Sequence, residues 1–127
     1  MTINELVGGS VVAVGPTESL RKTAELMQET GVGSVAVEVD GALEGILTER
    51  DILKAAASYS DFDRDPVSDW MTSLPDTFGP DMSVEDAADW MLATGYRHLP
   101  IVDEEGTVLG MVSIKDVLWA MSDSRNG

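Results

Sequence analysis

Cysteine is absent from the 127 residues, which excludes disulfides and thiolate metal sites and leaves the redox compartment open on that count. Positive charge is scarce. Eight lysines and arginines stand against 23 aspartates and glutamates, for a formal charge of −15. Only Lys22, Lys54 and Lys115 are lysines. No basic stripe exists to neutralise phosphates, so nucleic acid is not an expected partner. Long apolar runs are missing too: nothing approaches the ~18–20 residues that span a bilayer. The start, Met1-Thr2-Ile3-Asn4-Glu5, has neither the basic flank nor the apolar stretch of a signal peptide. A cytoplasmic protein away from membranes is expected.

What is present is apolar material for a packed interior, 43% of the chain, enough for one compact domain or two half-size units sharing a core. The acids are spread evenly, 11 in residues 1–63 and 12 in residues 64–127. A disordered acidic segment would instead show blocks of like charge and few apolar residues. Evenly spread surface acid suits very high salt, where the Debye length shrinks to about 3 Å at 1 M and like charges repel little. The expected setting is a halophile's cytoplasm.

The chain repeats itself. Gly15-Pro16 returns as Gly79-Pro80, and the same offset of 64 aligns Ser19 with Ser83, Leu20 with Val84, Ala24 with Ala88, Met27 with Met91 and Thr30-Gly31 with Thr94-Gly95. The lead-in Ile3-Asn4-Glu5-Leu6-Val7 aligns with Val67-Ser68-Asp69-Trp70-Met71. One extra residue in the turn Asp103-Glu104-Glu105-Gly106 moves the offset to 65. Gly45-Ile46-Leu47-Thr48 then meets Gly110-Met111-Val112-Ser113, and Arg50-Asp51 meets Lys115-Asp116. The chain is a duplication.

Each copy reads βαββα. Leu20, Ala24 and Met27, like Val84, Ala88 and Met91, recur at helical spacing, and Gly31 and Gly95 stop those helices. Val35–Val37 and Leu99–Val102 follow as strands, then turns at Asp40-Gly41 and Glu105-Gly106, then strands Leu43–Leu47 and Val108–Val112. Thr48 and Ser113 are the caps of the second helices. The predicted fold class is α/β (α+β), with the repeats packed sheet to sheet about a pseudo-two-fold axis. The predicted boundaries are residues 1–58, including the N-terminal lead-in, a polar linker at 59–66, a second copy at 67–122 and a flexible tail at 123–127.

The chemistry-bearing element closes each copy: Thr48-Glu49-Arg50-Asp51 and Ser113-Ile114-Lys115-Asp116. A hydroxyl at the helix cap precedes a carboxylate by three positions, so both fall on the first turn. That turn offers free backbone N–H groups to an anion, and the carboxylate can accept hydrogen bonds from two vicinal hydroxyls, as acids read a ribose. The same spacing is also that of a plain capping box. The residues alone leave both readings open.

The repeat, its closing Gly-hydrophobic-hydrophobic-Thr/Ser-x-x-Asp motifs, the run Arg97-His98-Leu99-Pro100-Ile101-Val102 and the lead-in Pro66-Val67-Ser68-Asp69-Trp70-Met71-Thr72 together resemble the CBS domain. That family usually occurs as a pair, the Bateman module, and the resemblance covers nearly the whole chain. It implies a regulatory module whose cleft holds AMP, ADP or ATP, with or without magnesium, or an S-adenosylmethionine-like ligand. It carries binding roles to Thr48, Asp51, Ser113 and Asp116, and further to Gly33, Ser34, Arg97 and His98. A ligand-free interaction module and an S-adenosylmethionine or methylthioadenosine sensor are the alternatives.

The copies differ where Val32-Gly33-Ser34-Val35-Ala36 faces Tyr96-Arg97-His98-Leu99-Pro100. Arg97 and His98 supply charge-assisted donors for phosphate; Gly33 and Ser34 supply almost none. Unequal sites are expected. The resemblance also implies side-by-side pairing of two modules through the repeat helices. A homodimer is therefore expected, with Trp90 and Trp119 in or near its interface, and an effector protein that nothing in the chain names. No nucleophile, base and orienting group fall together, and no glycine-rich phosphate loop is present, so catalysis is not expected.

Overall fold

The computed structural model describes residues 1–7 and 11–126, with the side chains of 124–126 excepted. The chain forms two compact units, Val11–Pro75 and Met1–Ser10 with Asp76–Gly127, of which residues 8–10 and 127 lie outside the described set.

In the unit Val11–Pro75, strand β1 (Ala13–Val14) leads to helix α1 (Leu20–Thr30), the hairpin β2 (Ser34–Val39) and β3 (Ala42–Thr48), helix α2 (Glu49–Ala57) and strand β4 (Thr72–Ser73). Ser19 caps α1 by accepting the Lys22 N–H at 3.2 Å. The helix ends on Gly31 at φ 71°, the left-handed backbone that an L side chain resists. The β2–β3 turn is a two-residue one, with Asp40 at φ 51° and Gly41 at φ 84°. Such a turn matches the strands' right-handed twist. Sheet order is β1-β2-β3-β4, with β1 parallel to β2 and the remaining pairs antiparallel. Leu20, Met27, Val35, Val37, Leu47, Ala55 and Val67 form the core.

The second unit repeats the plan with helix α3 (Val84–Thr94), strands β5 (His98–Val102) and β6 (Val108–Ser113), and helix α4 (Ile114–Asn126). Where the first copy pairs β1 with β2, this one keeps a single bridge, Phe78 to Ile101. Pro100 explains the loss. Its counterpart Ala36 donates its N–H to Val12 at 3.0 Å, and proline has no N–H to give. The extra residue of the β5–β6 turn is held by Asp103, whose Oδ1 accepts the N–H groups of Glu105 and Thr107, both at 2.9 Å. Residues 123–126, where the sequence suggested a tail, are the last turn of α4.

The lead-ins are exchanged. Ile3 is fully buried among Val84, Met91, Leu99 and Val112 of the second copy, while Val67 is fully buried against Leu20 and Leu47 of the first. The backbone contacts match at the repeat offset: Ile3 N–H to Met82 O at 2.8 Å and Val84 N–H to Met1 O at 3.1 Å, against Val67 N–H to Glu18 O at 2.9 Å and Leu20 N–H to Asp65 O at 3.0 Å. The repeat boundaries in the sequence are therefore not the boundaries of packing. Residues 59–66 are drawn into the first unit too, through Phe62 against its core and the Arg21–Asp63 ion pair.

Candidate functional site

In each unit a strand runs straight into a helix, and that junction carries the motif residues. Thr48 is the last residue of β3 and the N-cap of α2. Four N–H groups at a helix start lack partners within the helix. Here Thr48 N–H donates to Asp51 Oδ2 at 2.9 Å, and Asp51 N–H donates to Thr48 Oγ1 at 3.3 Å. Glu49 N–H donates to the Gly33 carbonyl at 3.0 Å. The fourth, Arg50 N–H, has no partner among the described residues. Oδ1 of Asp51 likewise receives no hydrogen bond from them. One donor and one acceptor remain on this first turn.

The junction of β6 and α4 is built the same way. Ser113 N–H donates to Asp116 Oδ2 at 2.9 Å, Asp116 N–H to Ser113 Oγ at 3.2 Å, and Ile114 N–H to the Arg97 carbonyl at 2.8 Å. Among the described residues, Lys115 N–H and Asp116 Oδ1 are left over. One detail separates the junctions: the Thr48 hydroxyl also donates to Asp51 Oδ2, at 3.1 Å, and the Ser113 hydroxyl makes no such bond.

Strand register adds the remaining residues. Ser34 lies directly opposite Thr48, and His98 directly opposite Ser113. Opposed residues of a ladder project from the same face, so Ser34 stands beside the Thr48–Asp51 box and His98 beside the Ser113–Asp116 box. Ser34 is 5% exposed, and among the described residues the buried side-chain polar atom left without a partner is Nε1 of Trp90, not the Ser34 hydroxyl. Gly33 and Arg97 occupy equivalent positions and act through their carbonyls. The Arg97 side chain is exposed and forms no ion pair with the described residues. All eight sequence candidates thus fall at the two junctions, four at each. The amides of Arg50 and Lys115 were not among them. The Thr/Ser-x-x-Asp spacing held that signal, since a capping box satisfies the cap and third-residue N–H groups and passes over the second.

Local charge differs between the junctions. The first turn of α2 bears Glu49 and Asp51 against Arg50. The first turn of α4 bears Asp116 alone as an acid, against Lys115 with Arg97 close by. Among the described residues, no three His, Asp or Glu side chains are placed to hold a metal ion, and no helix is long and apolar enough to cross a membrane.

The tryptophans part company. Trp90 turns inward, its ring 5.3 Å from Phe78 in an edge-to-face contact, and its Nε1 is buried without an acceptor among the described residues. Trp119 is 64% exposed. Leu92 on α3 and Leu118 on α4 are exposed as well, on two helices that pack together.

A duplicated βαββα unit with a capping box at each strand–helix junction defines a paired regulatory domain of the CBS type. The chain belongs to that family: the family model for the CBS domain matches it twice, over residues 3–58 and 67–123. It is similar to an uncharacterized 17.7 kDa protein of Acidianus ambivalens, 38% identical over 122 residues, 95% of this chain and 73% of that protein. It is also similar to the CBS domain-containing protein YhcV of Bacillus subtilis, at 33% identity over 91% of this chain and 82% of the relative. Among solved structures, the CBS domain protein PAE2072 of Pyrobaculum aerophilum, complexed with AMP, superposes with a TM-score of 0.86 at 26% identity, covering 97% of this chain and 99% of that one.

Proposed function

We propose that this chain is a regulatory module that binds an adenosine-type ligand (AMP, ADP or ATP) at its capping boxes and passes the bound state to an effector protein. One observation carries the reading: among the described residues, each box leaves a carboxylate oxygen and a helix N-terminal N–H unsatisfied on the same turn. A carboxylate oxygen accepts from ribose hydroxyls, and the N–H donates to an oxygen at the positive end of the helix dipole. In this reading Asp51 and Asp116 hold ribose, Thr48 and Ser113 set the caps, Gly33 and Ser34 flank one box, and Arg97 and His98 flank the other. The AMP complex of the Pyrobaculum relative supports the ligand class. Magnesium would arrive with the phosphates of ADP or ATP rather than through a site of the chain.

Calorimetry of the full chain against AMP, ATP, S-adenosylmethionine and NADH, in concentrated KCl, tests the proposal. Adenylate binding tighter than millimolar is expected. Binding of S-adenosylmethionine alone would favour the sensor alternative. Absence of any binding would favour a ligand-free interaction module.

We further propose a homodimer that covers the α3–α4 face. The copy-one counterparts of Leu92 and Trp119 are Gln28 and Lys54, while that of Leu118 is Leu53, itself exposed, so the second copy carries the more apolar face. Trp119, rather than the inward-turned Trp90, is the anchor. Trp119→Asp is expected to convert the dimer to monomer in sedimentation velocity; a wild-type monomer in multimolar KCl would end the proposal. A cytoplasmic, high-salt setting is our reading of the −15 charge.

A further inference from the structure

The two junctions share their backbone geometry but not their charge or their spare donors. At the α2 junction the charged groups on the first turn are Glu49, Asp51 and Arg50, a formal sum of −2 + 1 = −1. A phosphate placed there meets net repulsion. The Thr48 hydroxyl proton is already given to Asp51. Ser34, directly opposite Thr48 and largely buried, places a neutral hydroxyl beside the box. At the α4 junction the charged groups are Asp116, Lys115 and Arg97, a sum of −1 + 2 = +1 before any proton on His98. Ile114 stands where Glu49 does. The Ser113 hydroxyl makes no bond to Asp116 that matches the one from Thr48 to Asp51. Arg97, with no carboxylate claiming it among the described residues, can reach toward an anion.

We propose that the two junctions sort their ligands by charge: the Ser113–Asp116 box with Arg97 and His98 takes a nucleoside that carries phosphate, and the Thr48–Asp51 box with Ser34 takes an uncharged nucleoside. This rests on the adenosyl reading above and deepens it by assigning a ligand class to each box. A charge-assisted bond is roughly twice as strong as a neutral one. Loss of Arg97 should therefore weaken the phosphorylated ligand about tenfold and leave the uncharged one untouched.

The unsatisfied amides are the reporters. Nitrogen–proton correlation spectra of the full chain would follow Arg50 and Lys115 during titration with adenosine and, separately, with AMP. Adenosine is expected to shift Arg50 at lower concentration than Lys115, and AMP to do the reverse. Arg97→Gln should raise the AMP concentration needed at Lys115 about tenfold, with the adenosine response at Arg50 unchanged. Ser34→Ala should weaken adenosine at Arg50 and leave AMP at Lys115 as it was. Glu49→Gln, an exposed change outside the box, should admit AMP more readily at Arg50. Equal responses of both amides to both ligands, or an Arg97→Gln variant that binds AMP like the wild type, would overturn the sorting while adenosyl binding stands. No shift of either amide with either ligand would overturn both.

Discussion

At each junction one carboxylate oxygen closes the helix cap and, among the described residues, the other is left over, so Asp51 and Asp116 serve the fold as well as any ligand. The capping spacing that made the motif ambiguous is realised in both copies, and it does not remove the binding surface. A test of Asp116 must separate the two roles. Asp116→Ala should lose the cap as well as the ligand, costing about 1 kcal/mol and lowering Tm by roughly 3–5 °C. Asp116→Asn keeps an oxygen for Ser113 N–H and should hold stability within about 0.5 kcal/mol of the wild type. It loses the charge that favours ribose hydroxyls, so AMP binding should weaken in both variants. Thermal melts paired with calorimetry check this, and wild-type AMP affinity in the Asn variant would leave the carboxylate a cap only. Register was beyond reach at this scale. The sequence places Ser34 and His98 fourteen and fifteen residues before their caps, but the bulges at Val37/Glu38 and Ile101/Val102 shift the ladder, and only the formed hairpins bring each residue opposite its cap.

Glycine opens both closing motifs because a lead-in segment packs directly on it. A Cβ on Gly45 would fall 2.8 Å from the Thr72 carbonyl oxygen and against Met71, and a Cβ on Gly110 would strike Val7. Val7 and Met71 are repeat equivalents, so each lead-in crosses the hairpin of the other copy at the same place. Overpacking of this kind costs about 1–3 kcal/mol. Gly110→Ala should be destabilising by that amount, and Val7→Ala in the same chain should recover part of it, since the obstruction is the end of a side chain. Gly45→Ala should be the less recoverable of the two, because a backbone carbonyl stands in the way. Urea unfolding of the single and double variants measures both. Ile3→Ala should open a hole in the core of the second copy, not its own, at a cost of about 2–4 kcal/mol. Amide exchange then should accelerate in α3 and β5 before α1 and β2; the opposite order would contradict the exchange.

For the whole molecule the dominant long-range term is a charge of −15 on 127 residues, opposed in the described residues by the ion pairs of Arg21 with Asp63 and Arg64 with Asp61. Added salt screens that repulsion, with the Debye length falling from about 10 Å at 0.1 M to about 3 Å at 1 M. Tm is expected to rise steadily with KCl over that range, and a flat profile would show that the acids lie too far apart to repel. The sequence by itself determined the duplication, the βαββα order, the helix stops at Gly31 and Gly95 and the caps at Thr48 and Ser113, because periodicity, left-handed glycine and capping act within a few residues. The tertiary structure decided which lead-in completes which core and which residue stands beside each cap. The two lead-ins are alike, so either assignment fits the repeat equally well. Only the burial of Ile3 and Val67, with the crossings at Gly110 and Gly45, distinguishes them, and those contacts join residues too far apart in the chain for any local pattern to record.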